Sequence, residues 1–213
     1  MFEVRNLHYR SILQIEKLTI EKNALNIVVG ESGSGKTTLF KLLTRLYTKD
    51  SGTITFNGRD IETIDPLELR RKAVFVGQDP TISGNVMEAV KEAFYFNEQP
   101  YPEREEILSY FDLFQLPREL AEKDVAILSA GEKQRVFILR AIMLDTDIIL
   151  LDEPFANLNF ELSRHILSYF STILIEKRKK TIVLISHSPE LNRLFPCHLI
   201  ALKDGRIIDE RNC

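Results

Sequence analysis

Gly30-Glu31-Ser32-Gly33-Ser34-Gly35-Lys36-Thr37, continued by Thr38, separates the apolar run Leu25-Asn26-Ile27-Val28-Val29 from a helical pattern that begins at Thr38. Backbone N–H groups can close around phosphate oxygens where no side chain intervenes, and glycine at Gly30, Gly33 and Gly35 leaves them bare. The helix that follows points the positive end of its dipole at the same anion. Lys36 is spaced to reach the β and γ phosphates of a nucleoside triphosphate, and Thr37 carries the hydroxyl that such a loop places on Mg²⁺. The stretch therefore predicts a buried strand, a phosphate loop and a helix, the opening unit of a parallel α/β fold.

Three further compact runs, Ala73–Val76, Ile148–Leu151 and Thr181–Ile185, have the continuous apolar character of strands buried on both faces of a parallel sheet. Val4–Tyr9 and Ile12–Ile20 alternate more, and Gly52–Phe56 ends at the tight-turn dipeptide Asn57-Gly58; these predict a separate antiparallel β layer near the N-terminus. Helical periodicity places Leu39, Leu42, Leu43 and Leu46 on one core face, and Leu162, Ile166, Leu167, Phe170, Ile173 and Leu174 on another. The segment 85–128, broken by Pro100, Pro102 and Pro117, reads as a helical insert between two parts of a catalytic core, 1–84 and 129–213. The expectation is a single unit with lobes.

The strand at Ile148 delivers two adjacent acids, Asp152 and Glu153, at its carboxyl end, where ligands collect in open α/β sheets. Asp152 is placed to hold Mg²⁺, a hard cation that prefers oxygen ligands and keeps several waters. Glu153 is the candidate general base for the water that attacks the γ phosphate. A second helix start, Leu128-Ser129-Ala130-Gly131-Glu132, carries the spacing of a capping box between Ser129 and Glu132, yet Gly131 weakens its first turn and bares backbone N–H groups to an approaching anion.

With 213 residues, 44% hydrophobic and 28% charged, the chain has an ordinary globular balance. A formal net charge of -3 provides no basic field for a nucleic-acid backbone, so direct nucleic-acid binding is not expected. No run approaches the length needed to cross a bilayer, and Met1-Phe2-Glu3-Val4-Arg5 lacks the apolar core of a secretory signal, so a cytoplasmic location is expected. Cys197 and Cys213 fit no metal-ligand spacing and read as incidental thiols of a reducing compartment.

The phosphate loop, the Ser129–Glu132 segment and the Asp152-Glu153 strand, in that order, resemble the ATP-binding cassette (ABC) ATPases over nearly the whole chain. The resemblance implies a P-loop NTPase with a mixed core sheet, an antiparallel β layer and a helical subdomain. It implies that ATP and Mg²⁺ are held between the loop of one subunit and Ser129, Ala130, Gly131 and Glu132 of a second, in a head-to-tail homodimer or a heterodimer with a similar cassette. By the same resemblance Gln78 touches Mg²⁺ and the attacking water, His187 contacts the γ phosphate and assists Glu153, and Tyr9 stacks on adenine. The implied function is ATP hydrolysis that powers separate transmembrane subunits, with the chain peripheral on the inner face of the cell membrane. A soluble regulatory or mechanical cassette acting on nucleic acid or the ribosome is the alternative.

The chain departs from the family's usual Leu-Ser-Gly-Gly-Gln at Ala130 and Glu132, and has Asn159 where an aspartate is common. Its small size and the run Gly131–Arg135 resemble compact bacterial exporter cassettes. Residues 79–86 and the aromatic cluster Phe94-Tyr95-Phe96 are expected either to receive a partner's helix or to form the insert's own core.

Overall fold

The computed structural model describes residues 1–78 and 83–213. Strands β1 (Phe2–Tyr9), β2 (Leu13–Thr19), β3 (Leu25–Val29), β4 (Ser51–Phe56), β5 (Arg59–Asp60), β6 (Ala73–Val76), β7 (Ile148–Asp152), β8 (Thr181–Ile185), β9 (His198–Lys203) and β10 (Arg206–Asn212) form two sheets. The smaller runs β2-β1-β4-β5 and is antiparallel; the larger runs β10-β9-β3-β8-β7-β6 and is parallel except for its edge strand β10. The helices are α1 (Lys36–Leu43), α2 (Pro66–Lys72), α3 (Val86–Phe96), α4 (Arg104–Leu113), α5 (Ala130–Met143) and α6 (Phe160–Tyr169).

Alternation along the central strands sorts the core onto two sides. Ile148, Leu150, Val183 and Ile185 point to a cluster shared with the antiparallel layer and with Leu39, Phe40, Leu42 and Leu43 of α1. Ile149, Leu151, Ile182 and Leu184 point to the other, which is continuous with Val86, Val90 and Phe94 of α3 and Ile107 and Phe111 of α4. The predicted insert thus shares its core with the sheet instead of carrying one of its own. Both faces being covered explains the uninterrupted apolar runs. Asn57 and Gly58 sit at φ 52° and 78°, the left-handed pair that a tight hairpin between β4 and β5 requires.

Three sequence expectations change. Leu46 lies beyond α1 and is 47% exposed, since Thr44 already ends the helix. After α6 the chain continues as a π-helix, Phe170–Ile175, whose wider turn keeps Leu174 buried as expected but brings Ile175 inward in place of Ile173. Cys197 and Cys213 are bonded as a disulfide and are not free thiols: their backbones exchange hydrogen bonds of 3.1 and 2.8 Å where β9 and β10 lie side by side, bringing the Cα atoms to 5.2 Å. β9 and β10 themselves went unpredicted.

Asn26, fully buried in β3, ties these pieces together. Its amide nitrogen donates to the Glu21 and Ala24 carbonyls at 3.0 and 3.3 Å and to that of Ile182 at 3.4 Å, while its oxygen accepts from the Glu21 N–H at 2.8 Å and stands 3.1 Å from His198 Nδ1. Replacing it leaves buried donors and acceptors unpaired. Asn26→Leu is expected to cost about 2–3 kcal/mol in urea denaturation.

Candidate functional site

Register decides which side chains meet. Val28 of β3 lies beside Ile185 of β8, which lies beside Asp152 of β7, so the three strands end nearly abreast. The loop that leaves β3 at Gly30, the Ser186-His187 segment and the Asp152-Glu153 pair therefore converge at one edge of the sheet, as expected for ligand sites of open α/β folds.

Within the loop, Gly35 is the N-cap of α1 at φ 103°, and a Cβ there would stand 2.6 Å from Leu13 Cδ2, so glycine is needed for both conformation and space. Glu31, Ser32 and Gly33 are exposed, whereas Ser34 and Lys36 are buried. Thr38 is partly buried in the first turn of α1. Lys36 curls back, its Nζ donating to the Gly30 carbonyl at 2.9 Å and the Glu31 carbonyl at 2.7 Å. Burial pulls its pKa below the ordinary lysine value, and the nearby Glu153 and Asp152 charges oppose that shift. The Thr37 hydroxyl donates to Asp152 Oδ2 at 2.7 Å.

Asp152 is 2% exposed, and its second oxygen, Oδ1, has no hydrogen-bond partner among the described residues. Burial, the largest cause, pushes its carboxyl above the usual range; the Thr37 hydrogen bond pulls the other way and Glu153 adds to the rise. An orphaned carboxylate oxygen beside a threonine hydroxyl suits a hard dication. Among the described residues no group of three or more His, Cys, Asp or Glu could hold a metal alone, so the remaining ligands would have to be water and phosphate.

Glu153 adopts φ 50°, a left-handed conformation uncommon for a side chain of this kind. The twist turns its carboxylate toward β8, where Oε1 stands 3.1 Å from His187 Nε2. Both remain partly exposed, with Phe155, Ala156 and Leu191 helping to line a cavity of about 280 Å³ beside them. Gln78 lies exposed just beyond β6.

Ser129 and Ala130 lie on the surface, away from the core. Ser129 caps α5: its N–H and hydroxyl donate to Glu132 Oε2 at 2.8 and 2.6 Å, and the Glu132 N–H donates back at 3.3 Å. These bonds hold the Glu132 carboxyl below its ordinary pKa. Gly131 has a cause the sequence hid: a Cβ there would meet the Asn157 carbonyl at 2.9 Å.

Tyr9 is corrected. Its side chain points into the core of the antiparallel layer and is 5% exposed, stacked on Tyr47 at 5.7 Å with the Arg10 guanidinium over the ring at 5.1 Å, so no open face meets a base. The inward position follows from alternation along β1, whose last residue must share the face of Leu7.

A phosphate loop, a strand-end acid bonded to its threonine and a glutamate-histidine pair define a nucleoside triphosphatase of the P-loop class. A model of the ABC transporter family matches residues 13–156. The chain is 33% identical over 99% of its length, and 86% of the relative's, to the petrobactin import ATP-binding protein YclP of Bacillus subtilis. It is 34% identical, over 96% and 87%, to the phosphonates import ATP-binding protein PhnC of Fusobacterium nucleatum. A dimeric post-hydrolysis state of the ATP-binding cassette MJ0796 bound to ADP and Pi has the same fold, with TM-score 0.86, 24% identity and coverage of 99% and 98%. The chain belongs to the ABC transporter family and is an ATP-binding, ATP-hydrolysing transporter subunit.

The raised pKa of Asp152 makes ionising it a burden on the folded protein: the stabilising contribution is complete below the ordinary carboxylate range and disappears as pH rises through the elevated value. Without nucleotide, Asp152→Asn is expected to raise the melting temperature at neutral pH by roughly 2–4 °C. In melting curves the gain over wild type should shrink as pH falls through the range where Asp152 protonates.

Proposed function

We propose that this chain hydrolyses Mg-ATP in a head-to-tail pair and passes the resulting opening and closing to transmembrane subunits. The Glu153–His187 contact of 3.1 Å, beside the Thr37–Asp152 bond, carries the reading, because a carboxylate paired with an imidazole next to the phosphate loop is what a base and its orienting partner require. Lys36, freed from the Gly30 and Glu31 carbonyls, would neutralise the β and γ phosphates. Thr37 and Asp152 would hold Mg²⁺, with Gln78 brought in from its exposed position. Bound there, the ion would draw charge from the phosphoryl oxygens as they develop it. Glu153 takes the proton of the attacking water, and His187 keeps the carboxylate turned toward the γ position.

An exposed tip at Ser129–Glu132 supports closure by a second copy, whose tip would cover the nucleotide held by the first. The dimeric state of the MJ0796 cassette favours the same arrangement. Among the described residues no helix is long and apolar enough to cross a membrane, so a peripheral position at the inner face would depend on partner subunits.

The docking expectation divides. Phe94 is buried in the insert's core, whereas Tyr95 and Phe96 are 67% and 62% exposed; Asp79, Pro80, Thr81 and Ile82 lie outside the described residues. Phe96 lines a cleft of about 420 Å³ with Val74, Val76, Phe137, Arg140 and Leu144, a size suited to a short helix of a membrane partner. The import subunits among the similar proteins favour uptake over the export suggested by the Gly131–Arg135 run.

Glu153→Gln is expected to lower steady-state ATP hydrolysis by about 100-fold or more and to accumulate an ATP-dependent dimer in size-exclusion chromatography, while Lys36→Ala loses both. Hydrolysis unchanged in Glu153→Gln would remove Glu153 from its role. Phe96→Ala should weaken co-purification of the membrane partner while leaving the fold intact by circular dichroism, with an expected affinity loss of roughly tenfold.

A further inference from the structure

Cys197 and Cys213 are bonded, with Cα atoms 5.2 Å apart, yet a position at the inner face of a membrane puts them in a reducing compartment. Thiols are kept reduced there, and the disulfides that do form serve redox sensing or catalysis. The two sulfurs are unequally placed. Cys197 is buried at the entrance to β9, whereas Cys213, just past β10, is exposed. Cys213 helps line two cavities, one of about 430 Å³ shared with Cys197 and one of about 350 Å³ whose walls include Gly30, Ser186, His187 and Asn192. An incoming thiol therefore approaches Cys213 from solvent, and the bond it breaks belongs to the wall of the cavity beside His187.

The bridge also anchors the chain that leaves His187. The Ser188 N–H donates to Ser186 Oγ at 3.2 Å, the Leu191 N–H to Ser188 Oγ at 3.3 Å and the Asn192 N–H to the Ser188 carbonyl at 3.1 Å. At the far end of this stretch the Asn192 carbonyl oxygen faces both sulfurs, 3.6 Å from that of Cys197 and 3.9 Å from that of Cys213. A disulfide has no hydrogen to donate there, and a thiol does. Opening the bond thus frees Cys213 and sets a new donor against Asn192, at the end of a segment that begins at His187. β10 itself keeps its pairing with β9 and the 3.3 Å contact of Glu210 with His198.

We propose that Cys197 and Cys213 form a reversible thiol–disulfide site, opened by a dithiol, whose state sets how firmly His187 is held against Glu153 and hence the rate of ATP hydrolysis. This rests on the triphosphatase reading above. A thiolate of the dithiol attacks Cys213 Sγ, the S–S bond breaks, and Cys197 leaves with the electron pair and takes a proton. The second thiol of the dithiol, as thiolate, attacks the reductant's sulfur in the mixed disulfide and releases Cys213 as a thiol. The protein gains two electrons and two protons, and the dithiol ends as a cyclic disulfide. The closed form, in which Glu153 and His187 stand 3.1 Å apart, is the faster one.

The test measures ATP turnover by the purified full chain after oxidised dithiothreitol and after excess reduced dithiothreitol, with thiols counted in each sample after acid quenching and unfolding. Reduction is expected to free both thiols reversibly and to lower kcat by roughly threefold to tenfold at unchanged KM. Cys213→Ser should match reduced wild type under both conditions, and His187→Ala should lose the response while keeping the bond. A bridge that only supports the fold would lower the melting temperature on opening and leave kcat alone, and that result overturns the proposal. So does a bond that persists in excess dithiothreitol while the chain stays folded by circular dichroism, or a response that survives in Cys213→Ser. Equal hydrolysis in the two states would leave the triphosphatase reading standing; no hydrolysis in either, with the thiols freed normally, would sink that reading and the proposed control of rate with it.

Discussion

The 2.7 Å hydrogen bond from Thr37 to Asp152 joins the first turn of α1 to the end of β7, and the site has its shape because of it. It holds a buried carboxylate whose other oxygen finds no partner among the described residues, an arrangement that costs folding energy unless a cation relieves it. Lys36, also buried, contributes to the same tension from the opposite sign. The loop and the acid are thus kept close by one short contact and kept poised by two charges that lack full solvation.

That contact can form because the strands of the larger sheet end together. A shift of β7 by one residue relative to β8 would send Asp152 to the opposite face and break the Thr37 bond. Burial on both faces opposes such a shift: Leu150 and Leu151 belong to different core clusters, so each would land in the wrong one. Packing remote from the edge therefore supports a catalytic geometry it never touches.

The strands and helices around the loop were legible because buried parallel strands have continuous apolar sequences, and the loop's chemistry is local. Lys36, Thr37, Asp152, Glu153 and His187 converge as their motifs implied. What escaped the sequence depends on distant partners or on small changes of winding. β9 has only the four-residue apolar run Leu199–Leu202 and β10 only Ile207 and Ile208 among polar residues, so both are recognisable mainly by what they pair with. The π-turn after α6 changes periodicity without a marker residue. The disulfide depends on register between Cys197 and Cys213. Tyr9 was misplaced because spacing along a chain says nothing of which face of β1 its last residue occupies.

Gly131 shows how the exposed tip is tied to the segment that carries the Glu153 carboxylate. Its missing side chain admits the Asn157 carbonyl, and Asn157 follows Glu153 within a segment closed by the Ala156 N–H donating to the Glu153 carbonyl at 3.2 Å. Asn159 then ends that segment by capping α6 through the Leu162 N–H at 2.9 Å, a local role that asparagine fills as well as aspartate. The same short stretch thus begins at Glu153, passes under the tip of α5 and anchors the next helix. The backbone that carries the left-handed φ of Glu153 and the backbone that receives the tip of α5 are therefore one continuous stretch, packed on Gly131 and held at its far end by the Asn159 cap.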